Sequence, residues 1–166
     1  MKKNDYINPK YEPLVAHIDE LMPLFRESIS AGRSVKLSPT GISMMPMLRQ
    51  GIDTVTLSPV TEKLKKYDIP FYLRENGQYV LHRIVRVGDD SYTCIGDNQF
   101  IYEKNVAHAS VIAVVTSFTR KGKSYSVSSL PYRIYCRLWH LTRFPRRVFR
   151  GLKRRAARLF SSKRSS

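Results

Sequence analysis

Ile69-Pro70-Phe71-Tyr72-Leu73-Arg74, Glu75-Asn76-Gly77-Gln78 and Tyr79-Val80-Leu81-His82-Arg83-Ile84-Val85-Arg86-Val87 form the stretch that sets the fold class. Two apolar-rich runs flank an Asn-Gly pair, a strong short-range hairpin signal because both central residues of its tight turn need φ > 0. In the second run successive side chains alternate. Tyr79, Leu81, Arg83 and Val85 face one way, and Val80, His82, Ile84 and Arg86 the other. His82 therefore sits between two apolar neighbours on its own face, half-buried and placed to titrate near neutral pH.

On either side the chain reads as more short strands. Ser34 to Ser38 and Asp53 to Leu57 precede the hairpin, with Thr61 to Lys66 a connecting turn whose lysines make a solvated face. After the turn Gly88-Asp89-Asp90 comes a strand over Ser91 to Ile95, then a corner at Gly96-Asp97-Asn98. Val111 to Thr119, Arg120-Lys121-Gly122-Lys123 and Ser124 to Val127 read as a last hairpin. Many short strands joined by Gly and Asn turns argue for a mainly β body, a coiled sheet or partial barrel.

Helices are expected at both ends. Leu14, Ile18, Leu21, Met22, Phe25 and Ile29 recur at three- and four-residue spacing, with Pro13 suited to the first turn, Gly32 to the end, and Pro23 to a kink. After Pro131, Tyr132, Tyr135, Leu138 and Trp139 share a face until Pro145 interrupts the run. A second apolar stripe follows at Val148, Phe149, Leu152, Ala156, Leu159 and Phe160, against Arg147, Arg150, Lys153, Arg154 and Arg158. The expected segments are thus 1–32 helical, 33–128 β, and 129–166 a basic amphipathic tail.

Charge divides the chain at one point. Of its 29 Lys and Arg, sixteen fall between Lys104 and Ser166, where there is no Asp or Glu; the remaining thirteen balance the 13 acidic residues before them. A neutral body carrying a basic end points to an anionic partner for that end. Arginines with aliphatic and aromatic residues on the opposite face suit a membrane interface over 131–160, and a helix packed on the β body is the plainer alternative for 132–144. Nucleic acid is the less favoured partner. The polar residues after Met1-Lys2-Lys3 do not read as a secretory leader, and no window approaches the roughly 20 apolar residues of a spanning helix. A cytoplasmic or peripheral-membrane location is expected. Cys94 and Cys136 have no metal-like spacing and read as reduced thiols, so no metal or cofactor is expected.

The chemistry-bearing residues are Ser43 in Gly41-Ile42-Ser43-Met44-Met45-Pro46-Met47-Leu48, His82 in the hairpin strand, and Asp97 in the Gly96-Asp97-Asn98 corner. A serine hydroxyl needs a base within reach, and a histidine held by a carboxylate can serve. GxSMxPxL, then HRIV, then GDN, in this order, resembles the signal peptidase and LexA-like serine peptidase superfamily over about residues 35 to 118. The histidine resembles its archaeal and endoplasmic-reticulum-type members, where His replaces a lysine base. The resemblance implies a serine endopeptidase acting on an extended peptide or protein, as in signal peptide processing. It makes Ser43 the nucleophile, His82 the base and Asp97 its orienter, with Asp53 the alternative orienter. It also implies an oxyanion and substrate-binding region at Thr40, Gly41 and Met44. Asp68 matches a Gly-Asp-Ile pattern with Tyr67 in place of glycine and reads as structural. The missing spanning helix departs from the family, and the missing helix-turn-helix departs from its repressors. A silent binding module carried to membrane or nucleic acid by the tail is the rival reading, and self-cleavage at Ala31-Gly32 ranks last.

Overall fold

The structure, a computed structural model, describes residues 18–149 and residue 151. Helix α1 (Ile18–Ser30) buries Met22, Phe25 and Ile29, while Leu21, expected on the same face, stands 46% exposed. It ends as expected at Gly32, whose φ of 77° lets Gly32 N–H bond Ile29 O (3.0 Å) and Arg33 N–H bond Ser28 O (2.9 Å). That pairing satisfies carbonyls that a helix end otherwise leaves bare. Pro13 and Leu14 lie outside the described residues.

Among the described residues nine strands follow: β1 (Val35–Leu37), β2 (Thr54–Ser58), β3 (Pro70–Leu73), β4 (Tyr79–Leu81), β5 (Arg83–Val87), β6 (Ser91–Ile95), β7 (Glu103–Ala107), β8 (Val111–Arg120) and β9 (Lys123–Ser126). One antiparallel sheet of six strands has the order β1-β2-β8-β3-β4, with β9 also on β8; the other has three strands, β5-β6-β7. The fold is mainly β, with helices at both ends. Among the described residues neither sheet closes on itself.

The hairpin forms at the Asn-Gly pair, but only Gly77 takes a positive φ (81°): Gly77 N–H bonds Arg74 O at 3.0 Å and Arg74 N–H bonds Gln78 O at 2.9 Å, a three-residue loop with glycine in the left-handed position in place of the two-residue turn. The strand after it departs from expectation. Tyr79 to Val87 is not one strand but two, broken at His82: β4 stays in the six-stranded sheet and β5 begins the other. Carrying the β3–β4 register one step past Phe71↔Leu81 would pair His82 with Pro70, which has no N–H for a ladder. Beyond the break the chain finds other partners, with Ile84 N–H donating to Asp68 O (2.9 Å) and Tyr67 N–H to Ile84 O (2.8 Å). The alternation survives the switch: Tyr79 and Leu81 pack in one core, Val80 and Ile84 in the other. Strand β7 was not expected, because Glu-Lys-Asn-Val-Ala buries only Val106 and carries no alternating pattern.

The larger core lies between the six-stranded sheet, α1 and the C-terminal helix α2 (Leu130–Leu141). Phe71 meets Phe25 edge-on at 5.3 Å and stacks on Tyr79 at 5.7 Å, and Phe118 meets Tyr132 at 5.7 Å. Tyr132 and Cys136 are buried in that core, so the packed-helix alternative holds for this face of α2. Cys94 and Cys136 are free thiols. Among the described residues no helix is long and apolar enough to cross a membrane.

The deepest polar contact is Arg83 on Asp97, Nε to Oδ1 at 2.8 Å and Nη2 to Oδ2 at 2.7 Å, both residues 1% exposed. Arg83→Met would leave the Asp97 carboxylate buried and alone, and should cost about 3–5 kcal/mol in urea denaturation. A change under about 1 kcal/mol, as for an exposed pair, would contradict this assignment.

Candidate active site

Ser43 stands on a compact turn that the core holds from below. Gly41 opens it at φ 85°, a backbone state that favours glycine, and Leu48 N–H bonds Met44 O at 3.0 Å. Met44, Met47 and Leu48 are buried in the larger core and anchor the turn. Met44, expected in the substrate-binding region by resemblance, is 3% exposed and packs in the larger core directly beneath Ser43. Thr40 and Gly41 are exposed just upstream. Ser43 itself is partly exposed, and no hydrogen bond among the described residues uses its N–H or its Oγ.

Gly96 brings the serine turn to the histidine. Asn98 N–H donates to Ser43 O at 2.8 Å and Asn98 Nδ2 to Ile42 O at 3.2 Å, which ties the two loops together. A Cβ on Gly96 would lie 2.7 Å from Ser43 O, so only glycine permits this approach. The β5–β6 register pairs Arg83 with Ile95, and its next step sets His82 beside Gly96. Gly96 thus touches the Ser43 carbonyl on one side and continues the register toward His82 on the other; among the described residues no hydrogen bond joins Ser43 Oγ to the imidazole.

The carboxylate at His82 is Glu103, not Asp97. His82 Nδ1 lies 3.2 Å from Glu103 Oε2 and 3.3 Å from the Tyr72 hydroxyl, which itself donates to Glu103 Oε2 at 2.8 Å. Arg74 grips the same carboxylate with two bonds of 2.7 Å. Both oxygens of Asp97 are taken by Arg83, so the expectation that Asp97 orients His82 is corrected. Asp53, the alternative, is bound by Arg49 through its backbone N–H (2.9 Å), Nε (3.0 Å) and Nη2 (2.6 Å), away from the imidazole. Asp68 caps Lys65 N–H at 2.7 Å, a structural role as expected. Tyr67, in the glycine position of that pattern, adopts φ 82°, and its carbonyl receives Arg83 Nη1 at 3.1 Å.

Electrostatics set His82 up as a base. Burial pushes its pKa below the ordinary 6.5, and the Glu103 carboxylate offsets this only in part, leaving the ring neutral at pH 7. Burial would raise Glu103, but the bonds from Arg74 and Tyr72 and the charge of Arg74 outweigh it and keep the carboxylate ionised. With Tyr72 donating to Glu103, the group that Nδ1 can best supply is its own proton, which leaves the lone pair on Nε2. Nε2 has no hydrogen-bond partner among the described residues, and the side chain as a whole is only 3% exposed. Glu103 also lines a cavity of about 830 Å³ bounded by the 98–103 connection, Arg74 and Asn76 of the hairpin, and Arg147. Among the described residues no group of His, Cys, Asp and Glu could hold a metal ion.

Glu103, Tyr72 and Arg74 were not singled out from the sequence. Tyr72 and Arg74 sat in plain view on the hairpin, and Glu103 is the last acidic residue before sixteen basic ones. Nothing local marks any of the three, because their meeting depends on strands far apart in the chain. Comparison with protein-family models, with curated proteins and with solved structures finds no match to this chain.

Two measurements follow from this geometry. The His82 ring should titrate below 6.5 by NMR, and Glu103→Gln should move the midpoint lower still; an unchanged midpoint would separate the two groups. Because the folded value lies below the unfolded one, His82 contributes stability that is fully present above about pH 6.5 and is lost as pH falls through that value. Gly96→Ala should cost about 1–3 kcal/mol by forcing the serine turn away from the corner, read as a lowered denaturation midpoint.

Proposed function

We propose that the chain is a serine endopeptidase of the signal peptidase and LexA-like type, with its six-stranded sheet coiled as a partial barrel. The observation that carries this reading is a neutral histidine at a sheet-to-sheet break. Its Nδ1 meets an ionised carboxylate, its Nε2 has no hydrogen-bond partner among the described residues, and the sheet register sets its backbone beside a glycine that touches the serine turn. Ser43 Oγ attacks the scissile carbonyl as His82 Nε2 takes its proton; His82 then passes that proton to the leaving amine, and water releases the acyl group. Glu103 holds the imidazole and stabilises its charged form, which reassigns to Glu103 the role first expected of Asp97. The free Ser43 N–H supplies an oxyanion donor.

The substrate is an extended peptide. Strands β1 and β4 lie at the ends of the β1-β2-β8-β3-β4 path, one leading to Ser43 and the other to His82, and such an edge offers main-chain pairing to an added strand. Self-cleavage at Ala31-Gly32 fits poorly, since both residues are folded into the end of α1. The second reading, a silent peptidase-fold module that binds through its basic end, draws on the lack of a hydrogen bond between Ser43 Oγ and His82.

A fluorophosphonate probe should label Ser43 in the native protein and not in His82→Ala; absence of labelling in the native protein would favour the silent module. On a cleaved peptide, Ser43→Ala or His82→Ala should lower kcat on the order of 10⁶-fold and Glu103→Gln about 10⁴-fold. Ser43→Ala, at a partly exposed turn with no hydrogen bond to its Oγ, should keep the native denaturation midpoint, whereas His82→Ala and Glu103→Gln disturb a buried network and should cost about 1–3 kcal/mol while retaining the native circular dichroism. Full turnover in Ser43→Ala would end the proposal.

A further inference from the structure

We propose that the outer face of the C-terminal helix is a docking surface for an anionic lipid bilayer. The inner face of α2 is committed to the body. Tyr132 OH and Cys136 Sγ receive Arg83 Nη1 at 2.8 and 3.0 Å, and Trp139 Nε1 donates to Asp97 O at 3.0 Å. Thr142 N–H bonds Leu138 O (2.9 Å) and Arg146 N–H bonds Thr142 O (3.1 Å), carrying the helical pattern on into 143–149. The run is nonetheless interrupted ahead of Pro145, since α2 ends at Leu141 with Thr142 as its cap and the helical stretch resumes at residue 143. Leu152, Ala156, Leu159 and Phe160, the rest of the expected second stripe, lie outside the described residues.

Opposite the docked face, Leu130, Ile134, Leu138, Leu141, Phe144 and Val148 recur at steps of four and three and are between 47% and 76% exposed. At 3.6 residues per turn these six fall on one stripe along the helix. A run of large apolar side chains that misses the core on a helix otherwise packed against it is not what burial within this chain would produce. Arg133 and Arg137 flank it, both exposed. No acidic residue occurs anywhere from Lys104 onward.

Charge and shape together decide the occupant. A second copy of the same face would bring arginines against arginines with no carboxylate to separate them, a disfavoured contact. A nucleic-acid backbone would welcome the arginines but gives no reward for burying Leu, Ile and Phe at the centre of the stripe. The boundary of an anionic bilayer satisfies both, with acyl chains under the stripe and phosphates beside the guanidinium groups. Docking of this kind asks nothing of Ser43 or His82, so it stands or falls apart from the peptidase reading.

The test is co-sedimentation of the full chain with phosphatidylcholine vesicles containing or lacking phosphatidylglycerol, beside a duplex DNA shift. Binding should need phosphatidylglycerol, weaken with salt, and fall about tenfold or more in Leu138→Glu/Phe144→Glu. Both residues are exposed, so the variant should keep the native circular dichroism and denaturation midpoint; Leu141→Gln serves should that variant misfold. Vesicle binding unchanged by these substitutions would overturn the proposal. So would DNA binding without vesicle binding, or a dimer in solution that the substitutions dissolve.

Discussion

A guanidinium buried between two sheets and a helix is the constraint on which the rest of this fold depends. Arg83 gives its donors to Asp97, the Tyr67 carbonyl, the Tyr132 hydroxyl, Cys136 Sγ and Met47 Sδ. Burial alone would lower its pKa, but the Asp97 carboxylate, by charge and hydrogen bond, carries it well above the ordinary value. Taking both charges out of water is costly, and the cost is met only while every partner stays in place. The serine turn (Met47), the glycine corner (Asp97), the strained Tyr67 turn and α2 are thereby fixed relative to one another.

The residue before it explains the candidate site. Side chains of successive strand residues point to opposite faces, so His82 and Arg83 look into different surroundings even though they are neighbours. Arg83 faces the larger core and takes Asp97; His82 faces the other side, where Tyr72, Arg74 and Glu103 converge. Two carboxylates thus serve two adjacent residues, and which serves which is set by the parity of the strand and not by closeness in sequence.

Helix α2 joins the ends of this arrangement. Its inner face closes the larger core and touches both members of the buried ion pair, while its outer face carries apolar residues that the body leaves uncovered. The cavity beside Glu103 is bounded on one side by Arg147 from the helical stretch that follows.

The sequence by itself determined the strand-rich class, the Asn-Gly hairpin, the C-terminal end of α1, the bounds of β6, the glycine at the serine turn, and the separation of a neutral body from a basic end. Those follow from local rules: side-chain period, glycine's access to positive φ, and charge counted along the chain. Tertiary structure alone decided that one apparent strand divides between two sheets at His82, that Met44 is core, that β7 exists, and that Glu103 rather than Asp97 stands at the imidazole. Each of these depends on which distant segment a backbone or side chain meets. The same carboxylate is orienter or ion-pair partner according to the face of the sheet it reaches, and no local pattern encodes that.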